Sequence, residues 1–417
     1  MSERHPATRE RPRWRRLVRR VVTVTLATLS AVVLAAGGYV GYAAIRHTRP
    51  ITLPAPTGPY PVGRTTFDWT DPTRTDPLAP RAGTPRELSV WLWYPAAPSG
   101  GRRAAYLPGA WNGLHFGSLP GLGETRFGAV RVHAYDDAPV AAGRFPVVVL
   151  LPGLGLAAPQ YTALAEDLAS HGYLVAGVTP TYTADLTVLH GRAVHSTTAG
   201  NPPTLKAANL HIGAAAQAGD RLVAIWAADA RFAAGRVAAL GQRFAGHVDA
   251  AHPAYIGHSF GGVASLEACR LDAHCAGAVD LDGTQFGPVV RAGLDRPMMI
   301  VASAGSCVTG ACRAADAVSR ADVATARTML AASTGTTWCY ELAESHHFNF
   351  SDYASYYLAA PLRHLLALGS IDGGLGLRVT GVYLAAFLDH AVRSRPEPLL
   401  SGASTPYSRM RAVHCKN

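Results

Sequence analysis

The stretch Ala254-Tyr255-Ile256-Gly257-His258-Ser259-Phe260-Gly261-Gly262-Val263-Ala264-Ser265 decides how the rest of the chain is read. A short apolar run stops at Gly257, one serine stands between glycines, and small residues follow. Gly257-His258-Ser259-Phe260-Gly261 fits the G-x-S-x-G turn, in which a serine is held on a strained strand-to-helix corner. The bare pattern is weak. At this glycine and serine content a chain of this length contains one by accident about one time in five. An ordinary Gly-rich strand–helix turn reads the same way, so the partners decide.

Working outward, the flanks supply the context. Residues 145–151 (FPVVVLL) form a continuous apolar run, as expected of a strand covered on both faces. Residues 161–171 carry Leu164, Ala165 and Leu168 on one helical stripe, and 173–178 (YLVAGV) read as the next strand. Residues 185–201 read as loop. The Ala-rich 207–243 read as helix, with a break near Gly235. Residues 254–256 are a short strand and 260–270 a helix. Residues 276–281, 297–303 and 337–342 are further strands, and 377–391 a closing helix. Residues 87–94 (ELSVWLWY) alternate and read as an antiparallel strand near a sheet edge. Residues 101–128, with Trp111 and Phe116, take no assignment. Alternating strands and helices predict an α/β fold, a mostly parallel sheet with helices on both faces.

A serine nucleophile needs a base, and the base needs an orienting acid. On this architecture they follow in the order serine, acid, histidine. Two acids end the strand after Ser259, in Ala278-Val279-Asp280-Leu281-Asp282-Gly283. Alternation puts Asp280 and Asp282 on one face, with Asp282 nearer the carboxyl edge where ligands bind. Asp282 is the better candidate, and Asp280 reads as a buried structural carboxylate. After strand 337–342 comes Glu344-Ser345-His346-His347-Phe348-Asn349-Phe350, where the histidine loop belongs. Spacing alone leaves His346 and His347 both open. The second oxyanion donor falls in Leu151-Pro152-Gly153-Leu154-Gly155, whose glycines permit close backbone approach. The two donors are then the N–H groups of Leu154 and Phe260. His258 is directed away from Ser259 by the turn and is not read as the base.

The formal charge is +10, but eight arginines within residues 1–20, with Arg46 and Arg49, account for most of it. The remainder is nearly neutral, which gives no basic surface for nucleic acid. Residues 21–45 contain no charged residue and are long enough to span a bilayer. Arginines on their N-terminal side keep 1–20 cytoplasmic and put the rest outside. The Ala/Gly-rich 35–44 would also suit cleavage of a signal peptide, and the run's length favours an anchor. Residues 46–57 are Pro-rich and read as a stalk. Six cysteines in an exported chain fit disulfides. Local spacing pairs Cys269 with Cys275 and Cys307 with Cys312, leaving Cys339 for Cys415, one of several possible connectivities. The chain has no CxxC pair and no HExxH helix, so a zinc site is not expected.

From Gly58 onward the chain resembles the bacterial relatives of the platelet-activating-factor acetylhydrolases, within the α/β-hydrolases. The resemblance is carried by GPYPVG, RELSVWLWYPA, FPVVVLLPGLGLAAPQYTALAEDLASHGYLVAGV, IGHSFGG, AVDLDG and HFNFSDY. It implies one α/β-hydrolase domain over 58–417 and a Ser-His-Asp esterase or lipase that needs no metal or cofactor. The family's histidine precedes x-N-F-x-D, which selects His347. Its acid falls on Asp282 and its oxyanion donors on Leu154 and Phe260. Pro152 stands where many relatives have a non-catalytic histidine. The substrate class implied is a carboxylic ester or lipid ester, with polyester or amide hydrolysis by the same triad as the nearest alternative. A binding protein on an inactive hydrolase scaffold is a rival of another kind.

Overall fold

The computed structural model describes residues 13–98, 101–114, 126–206, 213–356, 363, 367–401 and 407–415. Residues 1–12 of the basic tail, Phe116 and 207–212 lie outside them. The first element, α1 (Arg13–Thr48), runs past the 21–45 segment at both ends and is almost wholly exposed. By length and composition it can cross a membrane. The expected stalk is corrected, because 49–57 lies on the domain. β1 (Ile51–Thr52) joins the sheet, Leu53 is buried, and the Thr57 N–H and hydroxyl donate to Asp167 Oδ1 at 2.8 and 2.9 Å.

The remaining elements are β2 (Val62–Thr75), β3 (Pro85–Pro95), β4 (Arg103–Ala105), β5 (Val130–Asp136), β6 (Phe145–Leu151), α2 (Thr162–Ser170), β7 (Leu174–Thr179), the hairpin strands β8 (Leu186–Leu189) and β9 (Arg192–His195), α3 (Ala214–Ala238), β10 (Val248–His258), α4 (Phe260–Leu271), β11 (Gly277–Leu281), α5 (Val289–Ala292), β12 (Met298–Ser303), α6 (Ala317–Ala332), β13 (Thr337–Leu342), α7 (Gly373–Arg393) and β14 (Met410–Ala412). The main sheet runs β1-β5-β2-β3-β7-β6-β10-β11-β12-β13-β14, with β4 added on β5. From β7 to β13 neighbours are parallel. β3 is antiparallel to both β2 and β7, and β14 is antiparallel to β13.

The central strands β6, β7 and β12 read as apolar runs because both faces are covered. All of β6 is buried. Val148 and Leu150 enter one core with Leu164 and Leu168 of α2 and Leu384 and Phe387 of α7. Val147, Val149 and Leu151 enter the other, with Leu222 and Trp226 of α3, Leu266 of α4 and Met329 of α6. Fully burying each such side chain contributes about 2 kcal/mol. This sandwich aims the carboxyl ends of β6, β10, β11, β12 and β13 at one edge.

Four expectations change. β3 is not near an edge: from Leu88 to Pro95 every residue is buried, and β2 and β7 flank it. Residues 185–201 contain the β8–β9 hairpin. α3 continues through Gly235, where an added Cβ would meet nothing within 4 Å, so the glycine weakens the helix without breaking it. α7 does not close the chain, because β14 returns to the sheet.

The disulfides are Cys269–Cys275, Cys307–Cys312 and Cys339–Cys415. The last closes a loop with a sequence separation of 76 and ties the C-terminal segment to β13. In the chain-entropy account such a loop is worth about 4 kcal/mol. The double variant Cys339→Ser/Cys415→Ser is expected to lose about that much unfolding free energy in urea. A loss below about 1 kcal/mol would mean that the β13–β14 ladder holds the end unaided.

Candidate active site

β10 ends at His258, and α4 starts at Phe260. Between them Ser259 takes φ 56° and ψ −126°, a conformation that costs a non-glycine residue about 1–3 kcal/mol. The surrounding backbone enforces it. The Ser259 N–H donates to Leu281 C=O at 2.8 Å, and its own C=O accepts Gly262 N–H at 2.9 Å. A Cβ on Gly257 would stand 2.2 Å from Gly261 O, and one on Gly261 would stand 2.2 Å from Pro152 O. Only glycine permits the close approach of strand, helix and the 151–155 loop.

His347 lies in the loop after β13, at the start of a 3-10 turn over His347–Phe350. Its Nε2 lies 2.8 Å from Ser259 Oγ and its Nδ1 2.8 Å from Asp282 Oδ2. Asp282 is held from behind: Ser303 N–H donates to Oδ1 at 2.9 Å, and Ser303 Oγ–H to Oδ2 at 2.8 Å. Burial alone would raise the Asp282 carboxyl. The hydrogen bond and charge of His347, with donors from Ser303 and Ser306, hold it below the ordinary range. An ionised Asp282 makes Nδ1 the protonated nitrogen and leaves Nε2 free to accept from Ser259. His346 is exposed, and its N–H donates to Asn349 Oδ1 at 2.8 Å.

β11 ends at Leu281 and Asp282 takes φ 59°, so strand alternation does not reach Asp282. The turn, and not the pleat, presents its carboxylate. Asp280 is fully buried beneath the elbow, where Oδ1 accepts Gly283 N–H at 2.8 Å. A Cβ on Gly262 would stand 1.9 Å from that oxygen. Burial pushes the Asp280 carboxyl well above the carboxylate range, which favours the uncharged acid. The two acids therefore respond differently to amidation. Asp282→Asn is expected to lower kcat for a nitrophenyl ester about 10⁴-fold by imposing the wrong tautomer. Asp280→Asn keeps the acceptor for Gly283 and is expected to stay within about threefold. The reverse order of damage would displace Asp282 from its role.

The N–H groups of Leu154 and Phe260 have no acceptor among the described residues. Both residues line the cavity that holds Ser259 and His347, of about 370 Å³, together with Leu205, Phe286, Val308 and Phe348. Phe260 N–H is also at the positive end of α4. The arrangement suits acyl transfer: a nucleophile with a positioned base, and two donors for an oxyanion.

Some residues around the site escaped the sequence. Ser303 was legible only as a strand end. Tyr161 and His258 had no catalytic pattern, yet both are buried and bonded into the loops on either side of Ser259. Asp352 of the HFNFSDY motif accepts the N–H groups of Thr162 and Ala163 at 2.9 and 3.0 Å, which ties the histidine loop to the start of α2.

Fold and site together define an α/β-hydrolase. Residues 47–184 match the family described as platelet-activating factor acetylhydrolase, isoform II. A platelet-activating factor acetylhydrolase from Cavia porcellus is 25% identical over 279 residues, 60% of this chain and 60% of that relative's length. A solved ferulic acid esterase from Streptomyces cinnamoneus is 29% identical, with a TM-score of 0.73, and the match covers 87% of this chain and 99% of that one. These likenesses support a platelet-activating-factor-acetylhydrolase-like serine esterase, and the chain spans 60% of the length of the curated relative it matches.

Proposed function

We propose that the chain hydrolyses carboxylic esters through an acyl-enzyme on Ser259. The observation that carries this reading is the unbroken line Ser259 Oγ–His347 Nε2 and His347 Nδ1–Asp282 Oδ2, each at 2.8 Å. Ser259 Oγ attacks the ester carbonyl while His347 Nε2 takes its proton. The tetrahedral oxyanion is bound by the N–H groups of Leu154 and Phe260. Collapse expels the alkoxide, which His347 protonates. Water then repeats the sequence, and the acid and Ser259 are released. Asp282 stabilises the imidazolium in both halves.

The cavity wall of Leu205, Phe260, Phe286, Val308 and Phe348 suits an apolar acyl group. Its phenylalanines and the likeness to a ferulic acid esterase support aromatic acyl esters as a second reading. A fluorophosphonate should label one serine per chain, found by peptide mapping at Ser259. Turnover is then compared for short-chain nitrophenyl esters, feruloyl esters, acetyl-phospholipids, a polyester and an anilide. Labelling without turnover of any ester would favour a binding protein on this scaffold, and anilide turnover above ester turnover would favour an amidase.

We further place residues 58–417 outside the cytoplasm, tethered by α1, with the cytoplasmic tail at 1–20. The exposed apolar helix, the arginines before it and the three disulfides support this. Protease added to intact cells should degrade the hydrolase domain and spare the tail. Recovery of intact domain in the cytosol would overturn the topology.

A further inference from the structure

The imidazole of His258 is buried beside the site, and the reaction does not use it. Its Nε2 lies 2.8 Å from His347 C=O and its Nδ1 2.7 Å from Tyr161 Oη. Tyr161 Oη in turn lies 2.9 Å from Gly153 N–H. The donors can be assigned. A carbonyl only accepts, so His258 Nε2 carries the proton. In the neutral ring Nδ1 then accepts, and it takes the Tyr161 hydroxyl proton. The Tyr161 oxygen keeps a lone pair for Gly153 N–H. Both ring nitrogens of His258 and the Tyr161 hydroxyl are satisfied in this one arrangement.

We propose that His258 and Tyr161 are positioning residues that set the His347 loop and the Gly153-Leu154 loop against Ser259 through one neutral imidazole. His258 precedes Ser259 on the same strand, so the nucleophile, the base and one oxyanion donor are referenced to a single ring. The proposal rests on the triad reading above.

The charge state supports the directions assigned. Burial, and then the neighbouring His347, push His258 down to about 3, and burial keeps Tyr161 protonated. The packing leaves little slack. The rings of His258 and His347 are 4.7 Å apart, and a Cβ on Gly153 would lie 3.2 Å from His258 Nδ1 and 3.3 Å from Ser259 Cβ. The far end of the circuit is also closed. Tyr161 sits at the start of α2, where Asp352 and the contact of Gln160 with the Tyr353 hydroxyl attach the histidine loop.

The test uses Tyr161→Phe, His258→Leu and His258→Gln in the full chain, with kcat for p-nitrophenyl acetate divided by sites titrated with a fluorophosphonate. Tyr161→Phe and His258→Leu are each expected to lower kcat per site about tenfold to a hundredfold, with KM within about twofold, because the reacting groups move relative to one another while substrate contacts stay. The double variant is expected to be no worse than about the worse single one, since both cut the same chain. His258→Gln retains an N–H for the His347 carbonyl and should recover part of the loss seen with leucine. Melting temperature is read alongside. Variants that melt lower but keep kcat per site within about twofold would show ordinary core hydrogen bonds and overturn the proposal. Equal kcat for the leucine and glutamine variants would also overturn it. Should the leucine variant fail to fold, Tyr161→Phe, which deletes one oxygen, and His258→Gln carry the result. Wild-type rates in these variants with an inactive Ser259→Ala would sink this proposal alone, whereas an active Ser259→Ala would sink the triad beneath it.

Discussion

Ser259→Ala is expected to lower kcat for a short-chain nitrophenyl ester by about 10⁶-fold and to abolish fluorophosphonate labelling. The loss is that large because the acyl-enzyme route disappears entirely. What remains is water attack assisted by His347 and the N–H groups of Leu154 and Phe260, worth about 10³–10⁴ over the uncatalysed reaction in comparable sites. KM should change little, since the apolar lining of Leu205, Phe260, Phe286, Val308 and Phe348 is untouched. The fold should also hold. The hydrogen bonds that build the corner, Ser259 N–H to Leu281 C=O and Gly262 N–H to Ser259 C=O, are main-chain and survive the substitution. Alanine inherits the strain at φ 56° without adding bulk. An alanine variant with the wild-type melting temperature and activity within about a hundredfold would remove Ser259 as nucleophile and leave the corner a structural turn.

The parts of the fold that were legible in the sequence are those where one physical pattern dominates. β6 and β12 are apolar runs because two helix layers cover them, and the corner at Ser259 needs glycines at fixed places. β2 was hidden because its buried and exposed residues alternate loosely among threonines, with Pro72 near a shift of register. α6 buries only Ala326, Met329 and Leu330, too little for a visible stripe. β14 is three residues long, and its place comes from a partner strand and a disulfide far away in sequence. In the site, Asp282 was reached by a strand argument that the turn at φ 59° does not obey. The acid still stands at the strand's carboxyl end, a position set by topology. Tyr161 and His258 could not be found from spacing, since their roles rest on main-chain atoms of other segments, Gly153 N–H and His347 C=O.

His347→Ala is expected to cost nearly as much as loss of the nucleophile, about 10⁵–10⁶-fold in kcat, while His346→Ala stays within about threefold. The two histidines are neighbours, so the pair of variants separates chemistry from loop structure. Only the His347 ring meets Ser259 and Asp282. Its removal leaves Ser259 Oγ without a base, and the hydroxyl remains protonated at neutral pH. The loop itself should persist: His258 bonds the His347 carbonyl, which alanine keeps, and Asn349 Oδ1 still accepts from residue 346 and from Gly369 N–H at 2.7 Å. His346 contributes its main-chain N–H to that anchor while its ring faces solvent. Added imidazole provides a second reading. It fits the space vacated beside Ser259 and should restore part of the rate of His347→Ala with saturation, and should leave His346→Ala unchanged. Inactivation by His346→Ala with an active His347→Ala would transfer the base to His346. It would also require the loop to rearrange before reaction, because the exposed ring of His346 would first have to replace His347 at Ser259.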